Sequence, residues 1–202
     1  MRLYNWEKNK WQTSDYTTVK LGRNGLAWAK GLQAASFNTG ILKKEGDGKA
    51  PQGIFRLTQV FGYAENAKTA WKMPYRSATT SLLCIDDVQS PFYNQLVEQN
   101  KAGTPSSFET MRRKDDLYEY GIVVDYNQNP SEAGAGSCIF MHIQDETRPT
   151  SGCTAMSKKD ILGLIHSLDT QKKPILIQCT TENYPKLAKA YDLPLDWGKT
   201  MP

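Results

Sequence analysis

Short apolar runs separated by Gly, Pro, Asn and Asp dominate this chain, and few stretches carry the spacing of an amphipathic helix. That rhythm predicts a mainly β fold. Gly53–Leu57, Gly121–Asp125, Ser137–Ile143 and Pro174–Ile177 are the plainest strands, and their consecutive apolar positions predict cover on both faces. Thr17–Leu21 and Leu26–Trp28 flank Gly22-Arg23-Asn24-Gly25, which predicts a hairpin because Asn-Gly accepts the positive φ angles of a tight type I′ turn. Alternation within Ser137–Ile143 puts Cys138, Phe140 and His142 on one face and Ile139, Met141 and Ile143 on the other.

One helix is well signalled. Ser157 followed by Asp160 has the spacing of a capping box, and Ile161, Leu164, Ile165 and Leu168 then share a face that leaves His166 outside it. Shorter helices are expected at Tyr93–Gln99, at Ser107–Arg112 behind the Ser106-x-x-Glu109 spacing, and at Pro185–Tyr191. Polar connections lie between, including Ala64–Ala78 and Tyr126–Gly136. With 202 residues and neither internal repeat nor low-complexity tract, a single domain over 1–202 is expected.

Charge narrows the function classes. Lys and Arg number 25 against 21 Asp and Glu, and each basic cluster is flanked by acids, which is not the footprint of a nucleic-acid binder. No apolar run approaches the roughly 18 residues of a spanning helix, so no membrane span is expected. The first residues show no secretory signal, as expected of a cytosolic protein or a mature form. Four cysteines without a C-x-x-C pair or a histidine at finger spacing make structural zinc improbable.

Candidate chemistry concentrates in one stretch. A strand delivers His142, and a glycine-bearing turn, Thr150-Ser151-Gly152, delivers Cys153 just ahead of the capped helix. A cysteine is mostly protonated at neutral pH, and an adjacent imidazole moves it toward the reactive thiolate. Cys153 would attack while His142 manages protons. Gly152 permits a tight backbone, and the N–H groups at Gly152 and Cys153 could face a developing oxyanion. Free cysteines are ordinarily buried packing residues, and Cys84, Cys138 and Cys179, each in or beside an apolar run, take that reading. His166 lies on an exposed helix flank, which leaves His142 as the imidazole partner.

The pattern His142 followed by Thr150-Ser151-Gly152-Cys153 resembles the L,D-transpeptidase catalytic domain, also called YkuD-like. Gly46-Asp47-Gly48-Lys49-Ala50-Pro51-Gln52-Gly53-Ile54-Phe55 is similar to the family's segment in which a Pro, a Gly two residues on and an aromatic strand position recur, and Cys84-Ile85-Asp86-Asp87, Tyr93-Asn94, Met111–Asp115 and Gly121–Asn127 are similar to compact, stand-alone members, so the resemblance runs from about Tyr16 to Ile177. It implies a β-sandwich with a few short helices, acting on peptidoglycan stem peptides without metal or organic cofactor. Cys153 would take the acyl group of a tetrapeptide stem as a thioester, releasing D-alanine. His142, oriented by a backbone carbonyl in such enzymes, would protonate the leaving amine. An amine acceptor gives a cross-link or exchange, and water gives carboxypeptidase activity. Ser151 and Ala155 stand where many members carry polar side chains. Thr150, Ser151 and Arg148 are the candidate substrate-binding residues, with Lys49 a second cation, although exposed Lys and Arg are ordinarily solvated. The substrate implies a periplasmic or envelope location, or delivery as a secreted effector. There, two of Cys84, Cys138 and Cys179 would pair, with no pair singled out. A rival reading is a wall-binding domain whose five Trp and ten Tyr line a glycan groove.

Overall fold

Twelve of the thirteen positions in Ala50–Gly62 are at least partly buried, Arg56 alone being exposed, and this segment is the spine of the molecule. A computed structural model describes residues 1–67 and 70–195. Its strands are β1 (Tyr4–Glu7), β2 (Lys10–Thr13), β3 (Leu26–Trp28), β4 (Ala50–Gly62), β5 (Tyr75–Ser77), β6 (Leu82–Ile85), β7 (Leu96–Glu98), β8 (Phe108–Thr110), β9 (Tyr120–Val124), β10 (Phe140–Ile143), β11 (Thr154–Met156) and β12 (Ile175–Gln178). The helices are α1 (Lys158–Ser167) and α2 (Tyr184–Tyr191). The fold is mainly β, as expected. The far end of the anticipated 1–202 domain, from residue 196, lies outside the described residues, as do residues 68 and 69 of the Ala64–Ala78 connection.

The main sheet runs β11-β10-β9-β4-β12, with β3 and β5 also paired to β4. Because β4 pairs β12 through Gly53–Arg56 and β9 through Leu57–Gly62, with a register shift between Leu57 and Gln59, the sheet curls at its centre. Period-two alternation then sorts the side chains. Leu57, Val60, Ile122, Val124, Ile139 and Met141 form one core with Met156, and Phe61, Val123, Cys138 and Phe140 form another on the opposite face. Helix α1 covers the first face with Ile161, Leu164 and Ile165; each full burial of such a side chain contributes about 2 kcal/mol. A small sheet, β7-β6-β8, covers the second, through Leu82 and Cys84 of β6.

The Ser157 cap is present: its Oγ accepts from the Asp160 N–H at 3.1 Å and donates to the Asp160 carboxylate at 2.6 Å, a bond that replaces the backbone half of a capping box. Three local expectations fail. Thr17–Leu21 does not pair with Leu26–Trp28; Lys20 pairs with Ala155, and β3 instead lies parallel to β4. The Gly22–Gly25 turn closes, Gly25 N–H to Gly22 O at 2.8 Å, but Arg23 and Asn24 keep negative φ, so it is not the I′ turn that makes a hairpin. Tyr93–Gln99 and Ser107–Arg112 are not helices. Asn94 sits at φ +62, which interrupts a helix, and Leu96–Glu98 and Phe108–Thr110 satisfy both edges of β6. Segments this short gain more from an open sheet edge than from a helical nucleus.

Glycine positions give a signed test. A Cβ on Gly121 would lie 2.1 Å from the buried Phe61 ring, whereas one on Gly163 in α1 meets nothing within 4 Å. Gly121→Ala should lose about 3 kcal/mol in urea unfolding, and Gly163→Ala should gain up to about 1 kcal/mol.

Candidate active site

Strands β10 and β11 run parallel, with Met141 opposite Thr154 and His142 opposite Ala155. One step back, this register sets Cys153 beside Phe140, whose N–H donates to Cys153 Sγ at 3.4 Å. Cys153 joins the core formed by Phe140 and Tyr118. His142, two positions along from Phe140, projects from the same face, as the alternation predicts. Both residues are buried, at 8% and 6% exposure.

The turn before Cys153 is built from the motif itself. Thr150 Oγ1 donates to the Cys153 carbonyl at 2.6 Å and accepts from the Gly152 N–H at 3.2 Å. Gly152 has φ +155, and a Cβ there would press on the Lys49 carbonyl at 3.1 Å and Ile139 at 3.3 Å. The strip Lys20–Arg23 clasps the turn from outside, Thr150 N–H reaching Leu21 O at 3.1 Å and Arg23 N–H reaching Thr150 O at 2.8 Å.

Electrostatics hold sulfur and ring neutral. His142 Nδ1 lies 2.7 Å from the Ile143 carbonyl, so Nδ1 carries the hydrogen and Nε2 keeps its lone pair. Burial, with the Arg113 charge adding to it, lowers the His142 pKa to about 4 against the pull of that carbonyl. Burial also pushes the Cys153 thiol up to about 12, reinforced by Glu109 and opposed by the Phe140 N–H. The thiol faces the Cys138 carbonyl at 3.5 Å.

Cys138 is itself fixed. It forms a disulfide with Cys84 of β6, its N–H donates to Asn94 Oδ1 at 2.8 Å, and its φ is +54. The sequence left the pairing open among three cysteines; Cys179 is the one left over, packed near Trp28 and Leu187. The bridge spans 54 positions, a closure that constrains the unfolded chain by about 4 kcal/mol.

The remaining candidates stand apart from the sulfur. Arg148 is exposed and donates through Nε and a terminal nitrogen to Asp145 at 2.9 and 2.7 Å. Ser151 is exposed and accepts from Arg23 at 2.7 Å, and Lys49 Nζ donates to the Asn24 carbonyl at 2.7 Å. Three residues that sequence reasoning passed over sit closer. Tyr118 shares a core with Cys153, touches the His142 ring edge-on at 5.1 Å, and donates to Glu109 at 2.6 Å. Arg113 stacks its guanidinium 5.1 Å from the centre of the Tyr118 ring. Glu109 carried a signal, but one that read as a helix cap. As for a glycan groove, Trp28 and Trp71 are buried, Trp6 and Trp11 are exposed on the β1–β2 hairpin, and Trp197 lies outside the described residues.

The buried neutral ring gives stability a pH dependence. An unfolded histidine titrates near 6.5, so between pH 6.5 and 4 the unfolded chain binds the proton that folded His142 refuses, and stability falls as pH drops through that window. The loss should approach about 3 kcal/mol by pH 4. Urea unfolding at pH 7 and pH 4 measures it, and His142→Gln should remove that share of the slope.

No curated protein and no solved structure matches this chain. The family model described as YkuD, L,D-transpeptidase catalytic domain, matches residues 1–177, beginning earlier than the Tyr16 at which the sequence resemblance starts. With a curled mixed sheet, two short helices and the histidine and cysteine strands side by side, the chain belongs to the YkuD family of L,D-transpeptidase catalytic domains.

Proposed function

We propose that this protein is a peptidoglycan L,D-transpeptidase with Cys153 as nucleophile and His142 as its acid–base partner. Family membership implies L,D-transpeptidase-type activity and peptidoglycan substrates. What supports the residue roles is the parallel β10–β11 register, which puts a free thiol and an imidazole on one face of the sheet, with Tyr118 against the imidazole and in the same core as the thiol.

The steps follow from the resting protonation states. The resting pair is a neutral thiol and a neutral imidazole, so the proton must move as the sulfur attacks. As Cys153 Sγ attacks the carbonyl of the third stem residue, its proton passes to His142 Nε2. The imidazolium then gives that proton to the departing D-alanine amine, leaving a thioester. An acceptor amine attacks the thioester, passes a proton to His142, and the thiol re-forms. The Ile143 carbonyl serves as the orienting group for His142, since it fixes the tautomer this sequence requires. Of the two backbone donors considered, the Gly152 N–H is committed to Thr150, which favours the Cys153 N–H for the oxyanion. Such a donor lowers a barrier by about 3 kcal/mol.

The disulfide beside the site favours work in an oxidising envelope compartment, where the stem peptides are. Among the described residues no helix is long and apolar enough to cross a membrane. Arg148, Thr150 and Ser151 enter as rim contacts: Thr150 holds the turn, and Arg148 is available to a substrate carboxylate only by leaving Asp145.

Incubation with disaccharide tetrapeptides, with products weighed by mass spectrometry, tests this reading. Loss of D-alanine with formation of dimers is expected; loss without dimers or exchange would make the protein a carboxypeptidase, and no conversion would favour a binding module. A carbapenem should add one adduct that disappears in Cys153→Ala. His142→Ala should keep the fold and acylate at least about 100-fold more slowly.

A further inference from the structure

Two arginines near the site have their bidentate edge filled. Arg113 gives Nε and Nη2 to Asp115, and Arg148 gives the same two donors to Asp145. Arg23, on the strip that clasps the nucleophile turn, does not. Its N–H is held by the Thr150 carbonyl at 2.8 Å, and its only side-chain hydrogen bond among the described residues runs from Nη1 to Ser151 Oγ at 2.7 Å. Nε and Nη2 are left without an acceptor, and no carboxylate of the described residues comes within ion-pair distance. That edge is the planar pair of donors that matches the two oxygens of a carboxylate.

The surroundings keep this edge open and its charge unbalanced. Gly48 lies against it: its φ is +66, and a Cβ there would come to 3.1 Å from Arg23 Nε. Asp47, the acid of that loop, is already taken, Oδ1 by Lys43 Nζ and the Lys49 N–H and Oδ2 by the Lys44 N–H. Lys49 Nζ donates to the Asn24 carbonyl at 2.7 Å and meets no carboxylate among the described residues, so a second cation stands beside the first. Ser151 Oγ accepts from Arg23 and still has its own hydrogen to donate. Ser151 is two residues ahead of Cys153, which limits the separation of their Cα atoms to about 7 Å.

We propose that Arg23, aimed by Ser151, is the residue that recognises the donor stem by charge: its Nε–Nη2 edge takes both oxygens of a free carboxylate and so sets the scissile carbonyl against Cys153. The proposal rests on the L,D-transpeptidase reading and adds to it a specificity residue from outside the histidine and cysteine strands. Arg148 can then stay on Asp145. The carboxylate has two sources on a tetrapeptide stem, the terminal D-alanine, one residue past the bond to be broken, and the stem's interior. Both present the same two oxygens to the guanidinium.

Steady-state turnover of disaccharide tetrapeptides tests this, with the stem left free, amidated at D-alanine, or amidated at its interior carboxylates. Arg23→Gln should raise KM for the free stem at least about tenfold, the loss expected for hydrogen bonds to a charged group. It should leave kcat within about twofold, because the contact is made alike before and during the attack. Amidating the carboxylate that Arg23 holds should raise KM as much by itself, and adding Arg23→Gln should then cost less than about twofold. Which amide does so identifies the source. Arg23→Lys, which restores the charge without the paired donors, should recover part of the affinity. A KM unmoved by Arg23→Gln, or an equal rise for free and amidated stems, as a merely loosened turn would give, would overturn the proposal. Calorimetric binding of the free tetrapeptide to Cys153→Ala, with and without Arg23→Gln, needs no turnover. Binding that depends on Arg23 in a protein that converts no muropeptide would overturn the transpeptidase reading alone, and conversion indifferent to Arg23 would overturn this proposal alone.

Discussion

Parallel pairing of β10 with β11 is the constraint on which the site depends. Two parallel strands cannot be joined by a tight turn, and here the chain returns through residues 144–153 without a crossover helix. The return must be rigid to hold register, and its rigidity comes from Asp145 capping Thr147 and Arg148, from Thr150 spanning the turn, and from the Lys20–Arg23 strip outside. A one-residue slip would send Cys153 to the α1 face of the sheet, among Met141 and Met156, and away from His142.

The opposite face of that sheet carries the second constraint, a packed core that tolerates little charge. Phe61, Phe140 and Tyr118 wall it, the β7-β6-β8 sheet roofs it, and the Cys84–Cys138 bridge ties roof to floor. Burial raises the thiol and lowers the imidazole for the same reason: neither ion is solvated there. A second anion in this space is unfavourable, so ionised Glu109 and a Cys153 thiolate disfavour each other.

Legibility in the sequence tracked the range of the interaction. Local signals held: the Ser157 cap, the helical stripe ending at Leu168, the alternation that put Cys138, Phe140 and His142 together, and the glycine before Cys153. Non-local edges did not. Tyr93–Gln99 and Ser107–Arg112 have helix-compatible composition, and only the open edges of β6 make strands of them. The same edge turned Glu109 toward Tyr118, so a residue spaced like a cap became a partly buried carboxyl hydrogen-bonded to that hydroxyl. Asn24-Gly25 was a sound turn signal whose flanks found better partners in Ala155 and β4. Pairing of Cys84 with Cys138 needed the two sheets face to face, which no spacing encodes.

Burial of the sulfur also bears on the fate of the acylated protein. On the proposed chemistry, the thioester would form against Phe140 and the Cys138 carbonyl, at the edge of a packed core that excludes bulk water. An acceptor amine that brings its own stem peptide can use binding energy to enter and be oriented, whereas water has none to spend on displacing the walls. On that proposal the closed geometry would bias the intermediate toward aminolysis. The neutral His142 sharpens the bias, because a ring that resists protonation in its resting surroundings is a weak base toward a loosely held water. On the proposed chemistry it would become an effective base when a positioned amine, developing positive charge in the attack, meets its Nε2 lone pair.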